Sequence, residues 1–125
     1  MRKRITIGMV ILILLLTHTI MGSFITNRKL SNLSIIANSA YEAMSNDHLP
    51  YQEFKKLKEE WQDSRKILYI FLNHKTVVEL EDNIESIEKL SDTGKSESLY
   101  TVLIRTINQV NDLKKSIGIT IENIL

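Results

Sequence analysis

The feature that most constrains this chain is a run of 23 residues without a charged side chain, residues 5–27. About 20 apolar residues in a helix cross a hydrocarbon core of roughly 30 Å. The conformation there has to be helical, because lipid offers no partner to an unpaired backbone amide. The run therefore predicts one transmembrane helix near the N-terminus. We expect residues 1–28 to form a basic tip with a membrane anchor, and residues 29–125 to form a helical domain outside the bilayer.

A cleaved signal peptide is the alternative to an uncleaved anchor. Signal peptides have a shorter apolar region and a cleavage site of the small-x-small type. The nearest candidate sites here pair Gly22 with Ile20, or Ser23 with Met21, so each has only one small residue. These observations favour a signal anchor that stays attached, while cleavage stays open at this stage.

The basic residues around the run predict its orientation. Arg2, Lys3 and Arg4 precede it, whereas only Arg28 and Lys29 follow it. Positively charged flanks stay on the cytoplasmic side of a membrane. We therefore expect a single-pass plasma-membrane protein with its N-terminus in the cytoplasm and its C-terminal domain outside it.

Charge and cysteine content exclude several classes of function. From residue 30 onward the chain holds 11 basic and 15 acidic side chains, a net charge of −4. Nucleic-acid binding needs a basic face, so no nucleic-acid partner is expected. The chain has no cysteine, which excludes disulfides, thiolate metal sites and a cysteine nucleophile. No catalytic or phosphate-binding motif is present, so we expect neither an enzyme nor a bound cofactor or metal.

Polar and small residues cluster at the far end of the span. They are His18, Thr19, Gly22, Ser23 and Thr26. Two pairs of small residues lie four apart, Thr19 with Ser23 and Gly22 with Thr26. Such pairs let another helix approach closely, and one possible source of that helix is a second copy of this chain. The plainer interpretation, which we favour, is that these residues lie near the interface and meet lipid headgroups.

Apolar residues at helical spacing predict four helices and an all-α fold. The first helix should continue from the span to about Ser45, and residues 46–50 should form a turn. A capping box at Thr76 and Glu79 places the start of the third helix. Residues 91–96 are a loop by composition, and Gly118 is a candidate break before an apolar tail. A loose internal repeat leaves two arrangements open, an antiparallel four-helix bundle and a stack of two helix-turn-helix hairpins.

Three short segments carry a resemblance to a known family. They are Trp61, residues 69–74 ahead of an acidic helix with Ile84 and Leu90, and residues 122–125. In these segments the chain resembles a family of small single-pass membrane proteins of Firmicutes, mostly spore formers, that is defined only as a domain of unknown function. Asn73 fits the aspartate or asparagine expected before His74. The resemblance implies a Gram-positive plasma-membrane protein and no particular activity.

Six residues outside the span are candidates for an interaction or structural role. Glu81, Glu85 and Glu88 share one helix face, which indicates either a solvated surface, the favoured interpretation, or a site for calcium or a basic partner. His74, next to Asn73, is expected to cap or bridge a turn rather than to bind a metal. Trp61 is expected to fill the core, and would mark a docking surface only if exposed.

The function predicted from these residues is a non-enzymatic, membrane-anchored interaction module. Its partner would be another membrane or envelope protein. The alternative is an extracytoplasmic ligand or ion sensor that acts through a membrane partner, because an unbroken helix would link the domain to the span.

Overall fold

The first helix determines the layout of the molecule. The structure is a computed structural model that describes residues 2–46 and 48–124, with side chains described up to residue 118. Helix α1, Arg2–Ser45, is a single helix of 44 residues, about 66 Å long. It contains no proline, and its glycines, Gly8 and Gly22, do not interrupt it. The prediction of one helix from the span to Ser45 is confirmed.

Short turns join the remaining three helices. They are α2, Tyr51–Phe71; α3, His74–Thr93; and α4, Ser96–Ile124. Pro50 directly precedes α2, where its missing amide costs no helical hydrogen bond. Gly94 ends α3 with a φ of 71°, a left-handed conformation that glycine adopts without strain. In the residues that the structure describes, all regular structure is helical, and the all-α fold is confirmed.

The four helices form an antiparallel bundle. In cross-section they occupy the corners of a square, in the order in which they follow along the chain. α1 packs on α2 and α4, and α3 packs on the same two helices, so the first and last helices close the bundle. Direct contact between α1 and α4 distinguishes this closed bundle from an open stack of two hairpins. The bundle covers only the second half of α1, and residues 2–19 of α1 are exposed, with only the His18 ring near the bundle, 5.8 Å from the Phe71 ring.

One apolar stripe from each helix supplies the core. The stripes predicted from helical spacing are buried, and Ser64 on α2 and Thr106 on α4 are buried among them. The main core residues are Leu30, Leu33, Ala37, Ala40, Phe54, Leu57, Trp61, Leu68, Val77, Leu80, Ile84, Ile87, Leu99, Leu103, Val110 and Ile117.

Three predicted boundaries are wrong, each for a local reason. α3 begins at His74 and not at Thr76, because the Asn73 side chain accepts a hydrogen bond from the Lys75 amide at 2.9 Å. The predicted loop at residues 91–96 shrinks to Gly94 and Lys95, because the left-handed glycine turns the chain within one residue. α4 continues through Gly118 to Ile124, since a single glycine costs a helix only about 1 kcal/mol. The side chains of residues 122–125, which carry part of the family resemblance, lie outside the described part.

α1 also meets the length and composition criteria for a membrane span. It is the one helix, among the described residues, that is long and apolar enough to cross a bilayer, and it lies near the N-terminus. Its apolar window is only 6% buried within the protein, unlike the core helix of a soluble domain.

Candidate functional site

Four of the six site residues predicted outside the span meet in one groove between α2 and α3, which we call the α2–α3 groove. It is open to solvent, with a volume of about 660 Å³. Trp61 contributes from α2, and Glu81, Glu85 and Glu88 contribute from α3. The spacings of four and three residues predicted that the acids share a face, and the bundle turns this face toward α2. The other lining residues are Lys58, Gln62, Arg65, Ile84, Lys89 and Asp92.

Trp61 forms the floor of the groove. Its side chain is buried in the core, as predicted, yet its indole N–H donates a hydrogen bond to the Glu81 carboxylate at 3.1 Å. Arg65 donates to the same carboxylate, from Nε at 3.0 Å and from Nη2 at 3.4 Å. A buried indole N–H needs an acceptor, and Glu81 satisfies it while pairing with a cation. The hydrogen bond to Glu81 raises the pKa of Arg65, so the guanidinium stays charged.

A second ion pair crosses the groove two turns away. Lys58 Nζ lies 2.6 Å from Glu88 Oε1, and both side chains are about half exposed. The hydrogen bond to Glu88, together with the charge of that carboxylate, raises the pKa of Lys58. Exposed pairs of this kind contribute little to stability, so their main effect is to set the charge pattern of the surface. They fix which α3 acids are neutralised within the chain.

Glu85 differs from the two acids on either side of it. It is exposed and lines the groove, and within the described residues it forms no ion pair. The other acids of α3 divide between two sides of the helix. Glu79 and Asp82 face α4, where a second groove also contains the Asn83–Gln109 hydrogen bond. The acidic helix is therefore not one continuous negative surface.

Asn73 and His74 lie outside the groove, at the turn between α2 and α3. Asn73 is the N-cap of α3. His74 is the first residue of that helix, exposed, with its ring 5.1 Å from the Tyr69 ring. Tyr69 in turn lies 5.5 Å below the guanidinium of Arg65, which links the turn to the end of the groove. Within the described residues, no group of three or more His, Asp or Glu side chains is arranged to hold a metal ion.

The small residues of the span meet a side chain of the same chain. Gly22 and Thr26 are buried, and the Phe71 ring from the end of α2 packs directly on Gly22. Ser23 is half-buried, Thr19 is exposed, and the His18 ring lies 5.8 Å from the Phe71 ring. Thr19 and Thr26 both donate to a backbone carbonyl one turn earlier. One of the two small-residue pairs, Gly22 with Thr26, therefore faces the bundle.

Sequence reasoning missed the basic side of the groove and the role of Phe71. Lys58 and Arg65 lie three residues before and four residues after Trp61, which is the spacing of neighbours on one helix face. That spacing was a usable signal for their position. Phe71 carried no such signal, because its partner is a glycine 49 residues earlier on another helix.

Comparisons with known proteins identify no relative. No family model matches the chain, and no curated protein and no solved structure is significantly similar to it. The case for a function therefore depends on the groove and the span themselves.

Proposed function

We propose that this chain is a non-enzymatic, membrane-anchored interaction module whose α2–α3 groove docks a segment of another membrane or envelope protein. The observation that carries the proposal is the convergence of Trp61, Glu81, Glu85 and Glu88 on one open groove. Glu81 and Glu88 are already paired with cations of α2. Glu85, between them, and Asp92, at the end of the groove, are the lining carboxylates left for a partner.

The groove favours a partner segment that carries a basic side chain. Such a side chain would pair with Glu85 between the two existing ion pairs. Charges at the rim of an interface mainly raise the association rate and select the partner, and they add little affinity. We therefore expect a weak interaction that depends on both partners being held in the same membrane.

Site-specific crosslinking in intact cells tests this proposal. A photo-crosslinking residue at Gln62, in the groove, should give a discrete crosslinked species that is lost when Glu85→Lys is added. The same residue at Ser39, exposed on α1 away from the groove, is the matched control. Identical products from both positions, or a product from Gln62 that is indifferent to Glu85→Lys, would count against docking in the groove.

For topology, we propose an uncleaved anchor with the N-terminus in the cytoplasm and the bundle outside. The support is the excess of basic residues before the span, together with the resemblance to single-pass proteins of Gram-positive plasma membranes. Protease added to intact protoplasts should digest the bundle and leave a small membrane-bound stub. A protected bundle would reverse the orientation, and a released bundle that begins near Ser23 would show cleavage.

A second candidate function is an extracytoplasmic ligand or ion sensor acting through a membrane partner. The observation in its favour is the unbroken α1, which joins the bundle rigidly to the span. Calorimetric titration of the full chain with calcium and zinc separates the two functions, since the ion-sensing version requires saturable heat. A third outcome would indicate an enzyme: a catalytic activity, found in a screen of the full chain, that is lost in His74→Ala while the variant stays folded.

A further inference from the structure

The turn between α2 and α3 lies against α1 at a point inside the charge-free run. Phe71, the last residue of α2, packs on Gly22 and reaches the ring of His18. Both contacts precede Arg28, the first charge after the run, by six and ten residues. The bundle therefore overlaps the predicted span.

The thickness of a bilayer places the contact between Phe71 and Gly22 at the edge of the hydrocarbon core. Counted from Ile5, the first uncharged residue after the basic tip, about 20 helical residues fill a hydrocarbon core of roughly 30 Å. That count ends at Phe24. Gly22 then lies about 3 Å inside the boundary and His18 about 9 Å inside it, at about 1.5 Å per residue. Because Phe71 packs on Gly22, Phe71 also lies near this boundary. Its depth in the bilayer does not depend on which end of α1 faces the cytoplasm.

The end of α2 exposes apolar side chains at this level, next to the exposed polar residues Asn73 and His74 of the same turn. Ile70 is 72% exposed, which is the highest value among the large apolar side chains of the described residues. Leu72 and Tyr69 beside it are only partly buried. On α1, Met21 and Phe24 are exposed at the same height. Exposing these apolar side chains to water costs free energy, whereas the edge of the hydrocarbon core would bury them in an apolar environment.

Basic side chains lie about one to two and a half helical turns above this apolar patch on three helices, and we call them the basic belt. The register follows from two hydrogen bonds, Asn32 to Glu60 between α1 and α2, and Ser34 to Asn111 between α1 and α4. Continuing each helix toward the membrane from these pairs brings the cations to similar heights. The basic belt consists of Arg28, Lys29, Lys66, Lys114 and Lys115. At this level α3 contributes acids and α2 also carries Asp63, while Lys75 at the start of α3 lies below the belt. The belt is therefore confined to α1, α2 and α4 and has acids beside it.

We propose that the membrane-facing end of the bundle is a lipid-binding surface, an inference that rests on the proposed membrane anchor. The turn around Ile70 and Leu72 inserts at the hydrocarbon boundary of the bilayer that α1 crosses, and the basic belt contacts the phosphates of anionic lipids. Lys and Arg side chains close to a membrane surface are attracted to the negative charge of anionic lipids. The bilayer itself covers the apolar patch. The bundle is therefore held against the membrane surface at a fixed height. This contact does not depend on a partner in the α2–α3 groove.

The absence of cysteine makes a direct test practical. Single variants Ile70→Cys and Leu49→Cys of the full chain are labelled with an environment-sensitive fluorophore and placed in vesicles of phosphatidylcholine and phosphatidylglycerol. Leu49 is a matched control, because it is also exposed and apolar but lies at the opposite end of the bundle. Leu14→Cys, in the projecting part of α1, reports whether α1 is in the bilayer.

Quenching distinguishes the outcomes. The label at residue 70 should be quenched by nitroxide-labelled lipid and several-fold less by iodide than the label at residue 49. Equal iodide quenching at the two positions, with residue 14 protected, would overturn the proposal. Protection of residue 70 from both quenchers would also overturn it, by showing that protein covers the patch. For the basic belt, Lys66→Gln with Lys115→Gln should weaken lipid quenching at residue 70, and an unchanged signal would remove the belt from the proposal.

Discussion

The two halves of α1 are one continuous helix built for two different surroundings. Residues 2–19 are exposed on every side, and from Ile5 to Leu16 they are mostly large aliphatic side chains. From Gly22 to Ala40 only one stripe is buried, and the opposite face is polar or exposed. A helix that is apolar all round requires an apolar solvent, whereas a helix with one apolar stripe requires partner helices. The boundary between the halves lies where Phe71 contacts Gly22.

Side-chain size separates the halves as clearly as polarity does. Gly22, Thr26, Ser34, Ala37 and Ala40 are all small, and all are buried against α2 or α4. Small residues let helix axes approach closely, while large aliphatic ones maximise contact with lipid chains. The comparison shows that hydrophobicity makes the first half of α1 a candidate membrane span, and that the pattern of small residues determines where the bundle begins.

The largest expected effect comes from truncating leucine in each half. Leu33→Ala removes a fully buried side chain and should lower the free energy of unfolding of the bundle by about 2–5 kcal/mol. Leu14→Ala, 63% exposed in the projecting half, should change it by less than about 0.5 kcal/mol. Denaturant titration of the full chain in detergent, followed by circular dichroism, measures both. Similar losses would mean that the projecting half also packs on the bundle.

The two glycines of α1 provide a sharper version of the same comparison. A Cβ at Gly22 would overlap the Phe71 ring, so Gly22→Ala should cost about 1–3 kcal/mol, partly offset by the better helix propensity of alanine. Gly8 has no neighbouring side chain within 4 Å, so Gly8→Ala should be neutral or stabilising. Adding Phe71→Ala to Gly22→Ala tests the mechanism in a double-mutant cycle. Strict additivity would show that the ring and the glycine do not interact.

The turn that reaches the boundary between the halves should depend on its helix cap. Asn73→Ala removes the acceptor of the Lys75 amide and should destabilise the bundle by about 1 kcal/mol. Thr76→Ala lies inside α3 and should have an effect of less than about 0.5 kcal/mol. Thermal melting curves of the two variants show whether Asn73 or Thr76 contributes more to stability as the cap of α3. A larger loss for Thr76→Ala would restore the capping box predicted from the sequence.

The smallest effect is expected on the outer face of the covered half. Ile35 is 64% exposed, so Ile35→Ser should change the free energy of unfolding by no more than about 0.5 kcal/mol. The same denaturant titration serves here, in both detergent and lipid vesicles. A large loss in vesicles alone would show that a second protein chain covers this face when the protein is bound to a membrane.

The long apolar helix near the N-terminus, the other three helices and most of the core could be predicted from the sequence because they depend on local pattern. Leu30, Leu33, Phe54, Leu57 and Leu80 recur at helical spacing, and such spacing is sufficient to mark a buried face. The shared face of Glu81, Glu85 and Glu88 followed from the same periodicity. The cap at Asn73 was missed because two adjacent capping signals competed, and the stronger N-cap residue prevailed.

By itself the sequence determined that one segment is apolar enough for a bilayer and that the rest forms amphipathic helices, since both are properties of neighbours along the chain. Only the tertiary structure decided which helices meet. It paired Glu81 with Trp61 and Arg65 across the α2–α3 groove, and it placed Phe71 on Gly22 within the charge-free run of α1. These contacts join residues 16 to 49 positions apart, and their register depends on how four helices pack around a common core. Helical periodicity gives the face of each helix, and packing gives its neighbour.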